Sequence, residues 1–199
     1  MATIRHTPSP NRVADDVLLD AALECVLAVG VRRTTLSDVA RTAGVSRMTL
    51  YRRFPDVRGM LSGLITREFG KLLGAATEAA KSEETARGQL VVASVQMLRS
   101  LATDPLMHAV IERDAEMLLP YIFERVGTSQ RMTEEYLYAQ LAAGHADGSI
   151  RPAELKVQAR TFFLMLQPYV FTIRPSTSDL ALEDLLAELG RMLDAVLRP

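Results

Sequence analysis

TTLSDVARTAGVSRMTLYRRF, residues 34–54, spells two short capped helices joined by a tight glycine turn. Thr35 is followed three residues later by Asp38, the pattern of a capped helix start, and Leu36, Val39, Ala40 and Ala43 then fall on one helical face. Gly44 ends that helix, because the left-handed conformation needed between two crossing helices is best supplied by glycine. Val45 tucks into the angle, and Ser46 caps the second helix.

Helical geometry sorts the side chains of that second helix. At about 100° per residue, Leu50 and Phe54 project toward the core, while Met48, Thr49 and Arg52 lie opposite with Arg53 flanking them. These four are the expected base-reading positions. Arginine bonds a guanine edge bidentately, and threonine or methionine rests against a thymine methyl. Arg47, Thr35 and Tyr51 are placed to hold phosphate, aided by the orphan N–H groups at the helix starts.

Charge supports a polyanionic partner at the front of the chain only. Between residues 32 and 58 stand seven arginines and two acids, although the whole chain carries −1. Residues 1–70 sum to +3 and residues 71–199 to −4. The cationic surface is therefore confined to one end.

With LLDAALECVLAVGV at 18–31, TLSDVARTAGVS, MTLYRRF and FPDVRGML following in that order, residues 14–70 resemble the TetR family of transcriptional regulators. The resemblance implies phosphate contacts from Thr35 and Tyr51, a major-groove approach by Arg47, Met48, Thr49 and Arg52, and a C-terminal domain that binds an effector. Three departures stand out. Met48 is bulky where the family often has a small residue, Val57 replaces a frequent lysine, and Cys25 with Val26 replaces a more usual leucine and phenylalanine.

The rest of the composition narrows the classes. With 48% hydrophobic residues the chain can bury a sizeable core. No apolar run reaches the roughly 20 residues needed to cross a bilayer, and the start MATIRHTPSPNR lacks a secretion signal, so a cytoplasmic protein without a membrane partner is expected. That start reads as a flexible arm over 1–12, or alternatively as an arm whose Arg5 and Arg12 enter a minor groove. The single cysteine, Cys25, recurs with Val17 and Ala21 every four residues and reads as core. His108 and Glu112 form an i, i+4 pair, too little for a metal site. No nucleophile–base constellation, P-loop or dinucleotide fingerprint appears, so neither enzyme activity nor a cofactor is expected.

Helical patterns continue to the end: 56–74, 86–101, one opening at Asp104-Pro105, then 115–126, 129–146, 153–173 and 178–197. The expectation is an all-α chain of about nine helices. The resemblance implies a three-helix helix-turn-helix DNA-binding domain over 13–70 and a helical effector-binding and dimerisation domain over 71–199. Leu182, Leu186, Leu189 and Leu193 repeat at 4-3-4 spacing on the last helix, and Phe163 and Val170 leave the preceding helix apolar over much of its girth. These six are expected at a homodimer seam, since a helix so apolar needs cover on both sides.

Met97, Leu101, His108, Ile111, Met117 and Tyr121 mix soft, aromatic and polar-tipped side chains, as do Phe162, Met165 and Tyr169 on the penultimate helix. They are either plain core or the lining of an effector pocket, the latter implied mainly by the resemblance. The function expected is a ligand-responsive repressor that binds a palindromic double-stranded DNA operator as a dimer and is released by a small apolar or amphipathic effector. A helical protein-interaction module and an activator of the same fold are the alternatives.

Overall fold

Thr35, Ser46 and Asp56 each stand in extended backbone just ahead of a helix, and each side-chain oxygen accepts the N–H three residues on. Three caps within about twenty residues fix where the chain turns. The helices they define are α2 (Leu36–Thr42), α3 (Arg47–Arg53) and α4 (Val57–Ala80), preceded by α1 (Pro10–Val29). The computed structural model describes residues 10–114, 116 and 127–199. After α4 come α5 (Ala86–Thr103), α6 (Pro105–Asp114), α7 (Thr128–Ala146), α8 (Leu155–Thr172) and α9 (Leu182–Leu197), with a 3-10 turn at Pro175–Thr177. The described residues are all-α, with nine α-helices and no strand.

Several boundaries differ from the sequence expectation. The helix opening after Asp56 runs to Ala80 rather than stopping near Gly74, so the domain limit expected at residue 70 falls inside one unbroken helix. Its core-facing residues continue past that point through Ala76 and Ala80, which supply the packing that keeps it helical. α1 begins at Pro10, so residues 10–12 are helical, while the remainder of the expected arm, with Arg5, lies outside the described residues. The helix expected over 115–126 also lies outside them.

One apolar core joins α1, α2, α3 and the start of α4, around Leu18, Val26, Val39, Leu50 and Leu64. It extends onto α6 through Leu106, Ala109 and Val110, so the N-terminal head is built partly from the second half of the chain. At the end of α6, Asp114 is only 3% exposed. Its carboxylate accepts the N–H of Val31 at 2.8 Å and of Arg32 at 3.4 Å. Gly30, at φ +86°, makes the turn that aims those two N–H groups, and a Cβ there would sit 3.3 Å from the Asp114 oxygen.

The second core explains the leucine spacing of the last helix. Leu186, Leu189, Leu193 and Leu197 are buried with Leu90 and Leu98 of α5, Leu137 and Leu141 of α7, and Phe162 of α8. Leu186, Leu189 and Leu193, expected at a subunit seam, are thus covered by α5 of their own chain, with Leu182 and Phe163 packed against the same cluster. Val170 also faces inward, touching the Met97–Leu101 group. The physical reason is simple: a 4-3 stripe marks the face a helix buries, and α5 lies close enough to bury it. On these last two helices the large apolar side chains left exposed are Val157, Leu164 and Met165 of α8 and Met192 and Val196 of α9. No helix among the described residues is long and apolar enough to cross a membrane.

The Asp114 junction gives a stability prediction. Asp114→Ala leaves the buried Val31 N–H without an acceptor and should cost about 1–3 kcal/mol in urea unfolding. Asp114→Asn, which keeps one acceptor oxygen, should lose less.

Candidate nucleic-acid interface

α2 and α3 are short, and their caps orient them. The Asp38 N–H lies 3.1 Å from Thr35 Oγ1, whose own proton goes to Asp38 Oδ2 at 2.6 Å. The Thr49 N–H donates to Ser46 Oγ at 3.1 Å, and the two hydroxyls sit 2.9 Å apart. Between the helices Gly44 takes φ +67°, and Val45 N–H returns to the carbonyl of Ala40 at 3.0 Å. Leu50 is fully buried beneath α3 and Phe54 half-buried at its end, as the 100° spacing requires. The opposite side carries Arg47, Met48, Thr49, Tyr51 and Arg52, all exposed.

Their partners differ. The guanidiniums of Arg47 and Arg52 have neither an ion pair nor a hydrogen bond among the described residues, and the same holds for those of Arg33 and Arg58. Arg53, grouped from the sequence with the base-facing side chains, is instead turned back onto α1, where its guanidinium forms a two-pronged pair with the Asp15 carboxylate. Those hydrogen bonds favour its charged form. The correction has a spatial cause: Arg53 sits at the end of α3 nearest α1, and Asp15 is 38 positions away in sequence. Thr35, expected at phosphate, has its hydroxyl engaged by Asp38 while its side chain stays exposed.

Further ties hold the head together. Arg67 of α4 reaches α1, donating to the Asp16 carbonyl at 3.0 Å and pairing with Asp20 at 2.8 Å and Glu68 at 2.6 Å. Cys25 is buried, its sulfur 3.5 Å from Thr42 Oγ1. Neither Arg67 nor Asp114 was singled out from sequence. Asp114 did leave a signal, since an acid at a helix C-terminus opposes the helix dipole and calls for a compensating donor.

In the second half, the residues expected at an effector pocket separate into groups. Met97 and Leu101 come together with Ala76, and Phe69, Leu72, Leu73, Met107 and Val170 pack around them half-buried. His108 and Ile111 are half-buried on α6, with His108 Nε2 2.7 Å from the Ala102 carbonyl oxygen, and Glu112 pairs with Arg174. That pairing holds the Glu112 carboxyl below the ordinary carboxylate range. Phe162 belongs to the core beneath α9, Tyr169 packs half-buried beside that core, and Met165 of α8 is exposed to solvent. Neither Phe162 nor Met165 is therefore grouped with Met97 and Leu101: Phe162 is taken up by the core beneath α9, and Met165, about 60° round the helix from it, lies at the solvent-exposed edge of that side. Met117 and Tyr121 lie outside the described residues.

A capped helix pair that exposes an unpartnered cationic face above its own core defines a helix-turn-helix DNA-binding regulator. Residues 18–64 match the family described as bacterial regulatory proteins, tetR family. An uncharacterized HTH-type transcriptional regulator of Mycobacterium tuberculosis is 35% identical over 150 residues, covering 75% of this chain and 76% of that one. A TetR-family transcriptional regulator structure from Pectobacterium atrosepticum has a TM-score of 0.72 at 20% identity, with 96% of each chain covered. FadR from Bacillus subtilis, solved in complex with stearoyl-CoA, has a TM-score of 0.65 at 19% identity, covering 92% of this chain and 99% of that one. The chain belongs to the TetR family of transcriptional regulators.

The orientation of α3 depends on its cap, which can be tested directly. Ser46→Ala should destabilise the fold by about 1 kcal/mol, measured by urea unfolding, and Ser46→Asp should restore most of it.

Proposed function

We propose that the protein is a repressor that binds a palindromic operator as a homodimer and leaves it when an apolar or amphipathic small molecule binds. The observation that carries this reading is the side of α3 on which Arg47, Met48 and Arg52 stand exposed, the two arginines without partners, while Arg53 and Arg67 are tied into the fold. Unpaired guanidiniums on a two-turn helix are available to base edges and phosphates, and one such helix gains useful affinity only when a second copy engages the next groove.

The dimer face in this reading is the outer side of α8 and α9. Val157, Leu164, Met192 and Val196 are exposed apolar side chains there, and burying them against a second copy removes that surface from water. The effector is assigned to the region between α4, α5, α6 and α8, where half-buried Phe69, Leu72, Leu73 and Met107 surround Met97 and Leu101. Soft side chains of this kind accommodate an aliphatic chain. That FadR was solved with stearoyl-CoA supports a ligand of this class.

Two links would carry the signal. α4 is continuous from the head to the effector region, and Asp114 hydrogen-bonds the turn after α1 from the end of α6. A ligand that favours a different setting of α4 and α6 shifts the population toward heads out of register with the DNA. Moving the balance from 1:99 to 99:1 requires a preference of about 5.5 kcal/mol between the two states.

Selection from random duplexes tests the reading as a whole. It should enrich an inverted repeat, and long-chain acyl-CoA should release the selected DNA. Arg52→Ala should cost about 1–3 kcal/mol on that site and relax one base pair in each half. Equal weakening on all sequences would make Arg52 a phosphate contact instead.

Assembly is tested separately. Leu164→Glu combined with Met192→Glu changes two exposed positions, so the fold should survive while sedimentation reports monomers with weakened operator binding. A double variant that remains dimeric would move the interface elsewhere.

A further inference from the structure

Met48 occupies the second position of α3 and is 77% exposed, more than any other large apolar side chain among the described residues. Its neighbours on that face are chemically different. Arg47 and Arg52 are free cations, Tyr51 carries a hydroxyl, and Thr49 is held by Ser46, its N–H donating to the Ser46 hydroxyl and its own hydroxyl 2.9 Å from it. Thr49 is thus oriented by the cap, whereas Met48 stands clear of the protein.

A thioether has no donor and only a weak acceptor, so Met48 cannot read the hydrogen-bonding pattern of a base pair. The apolar feature of the major groove is the C5-methyl group of thymine. We propose, building on the DNA-reading function above, that Met48 is a specificity-determining residue that packs on one thymine methyl in each half of the operator. Arg52 lies one turn on, on the same face and about 6 Å along the helix axis. At about 3.4 Å per base step, the methyl-read thymine falls about two base pairs from the pair that Arg52 addresses.

The test replaces each thymine of the selected operator, one position at a time, with deoxyuridine, which keeps the Watson–Crick edge and removes only the methyl. Wild-type protein should lose about fourfold in affinity at a single thymine per half-site and about fifteenfold when both are replaced. Met48→Ala should bind the thymine operator more weakly and be indifferent to uracil at that position, with an unchanged thermal unfolding curve because the side chain is exposed. An enriched operator in which every thymine tolerates loss of its methyl would overturn the assignment alone. So would a Met48→Ala variant that keeps the wild-type sensitivity to uracil. Failure to enrich any sequence would instead overturn the DNA-reading proposal, and this assignment with it.

Discussion

The fold depends on a buried carboxylate. Asp114 ends a helix of the second half of the chain, and its oxygens accept the N–H groups of Val31 and Arg32, 83 and 82 positions earlier. A carboxylate without these donors would be costly at 3% exposure, and the Val31 N–H without Asp114 would be a buried orphan. Each group therefore requires the other. Because Leu106, Ala109 and Val110 share the core of the DNA-reading head, that pair of hydrogen bonds ties the turn after α1 to the end of α6 beside the same core.

The same logic of cover distinguishes the two faces of the C-terminal helices. α9 presents Leu186, Leu189 and Leu193 to α5, and its Met192 and Val196 to solvent. On α8, Phe162 and Leu166 go inward while Val157 and Leu164 go outward. One chain supplies enough apolar surface to bury the inner stripes fully, and the outer ones are narrower and broken by polar residues such as Arg160 and Thr161. That division suits an interface with a second subunit better than a fully apolar seam does, since an obligate core would leave the single chain insoluble.

The head was legible in the sequence because its rules are local. Thr35, Ser46 and Asp56 act on N–H groups three residues away, and Gly44 acts on its own backbone, so the order of residues states the geometry. The reading of Leu50 as inward and of Met48 and Arg52 as outward followed from helical spacing alone. What spacing cannot state is which element covers a stripe or which acid meets a base. Arg53 looked like Arg52 until Asp15 of α1 arrived beside it, and the leucines of α9 looked like a seam until α5 did. Phe162 and Met165 share a side of α8, and only the packing of neighbouring helices decides that the first is buried and the second left at the exposed edge.

The ion pairing of the head has a consequence for its response to ionic strength. Of the seven arginines between residues 32 and 58, Arg32, Arg41 and Arg53 are already neutralised by acids of the protein, leaving Arg33, Arg47, Arg52 and Arg58. Only a cation that replaces a condensed counterion on DNA contributes to the salt dependence of binding, at about 0.9 in the logarithmic slope per phosphate. In the dimer proposed above, two heads bearing four free arginines each would limit the contribution of these arginines to a slope near −7, roughly half of what their formal count would give. In that reading internal pairing would temper nonspecific adhesion to DNA while leaving the exposed guanidiniums of Arg47 and Arg52 free for discrimination.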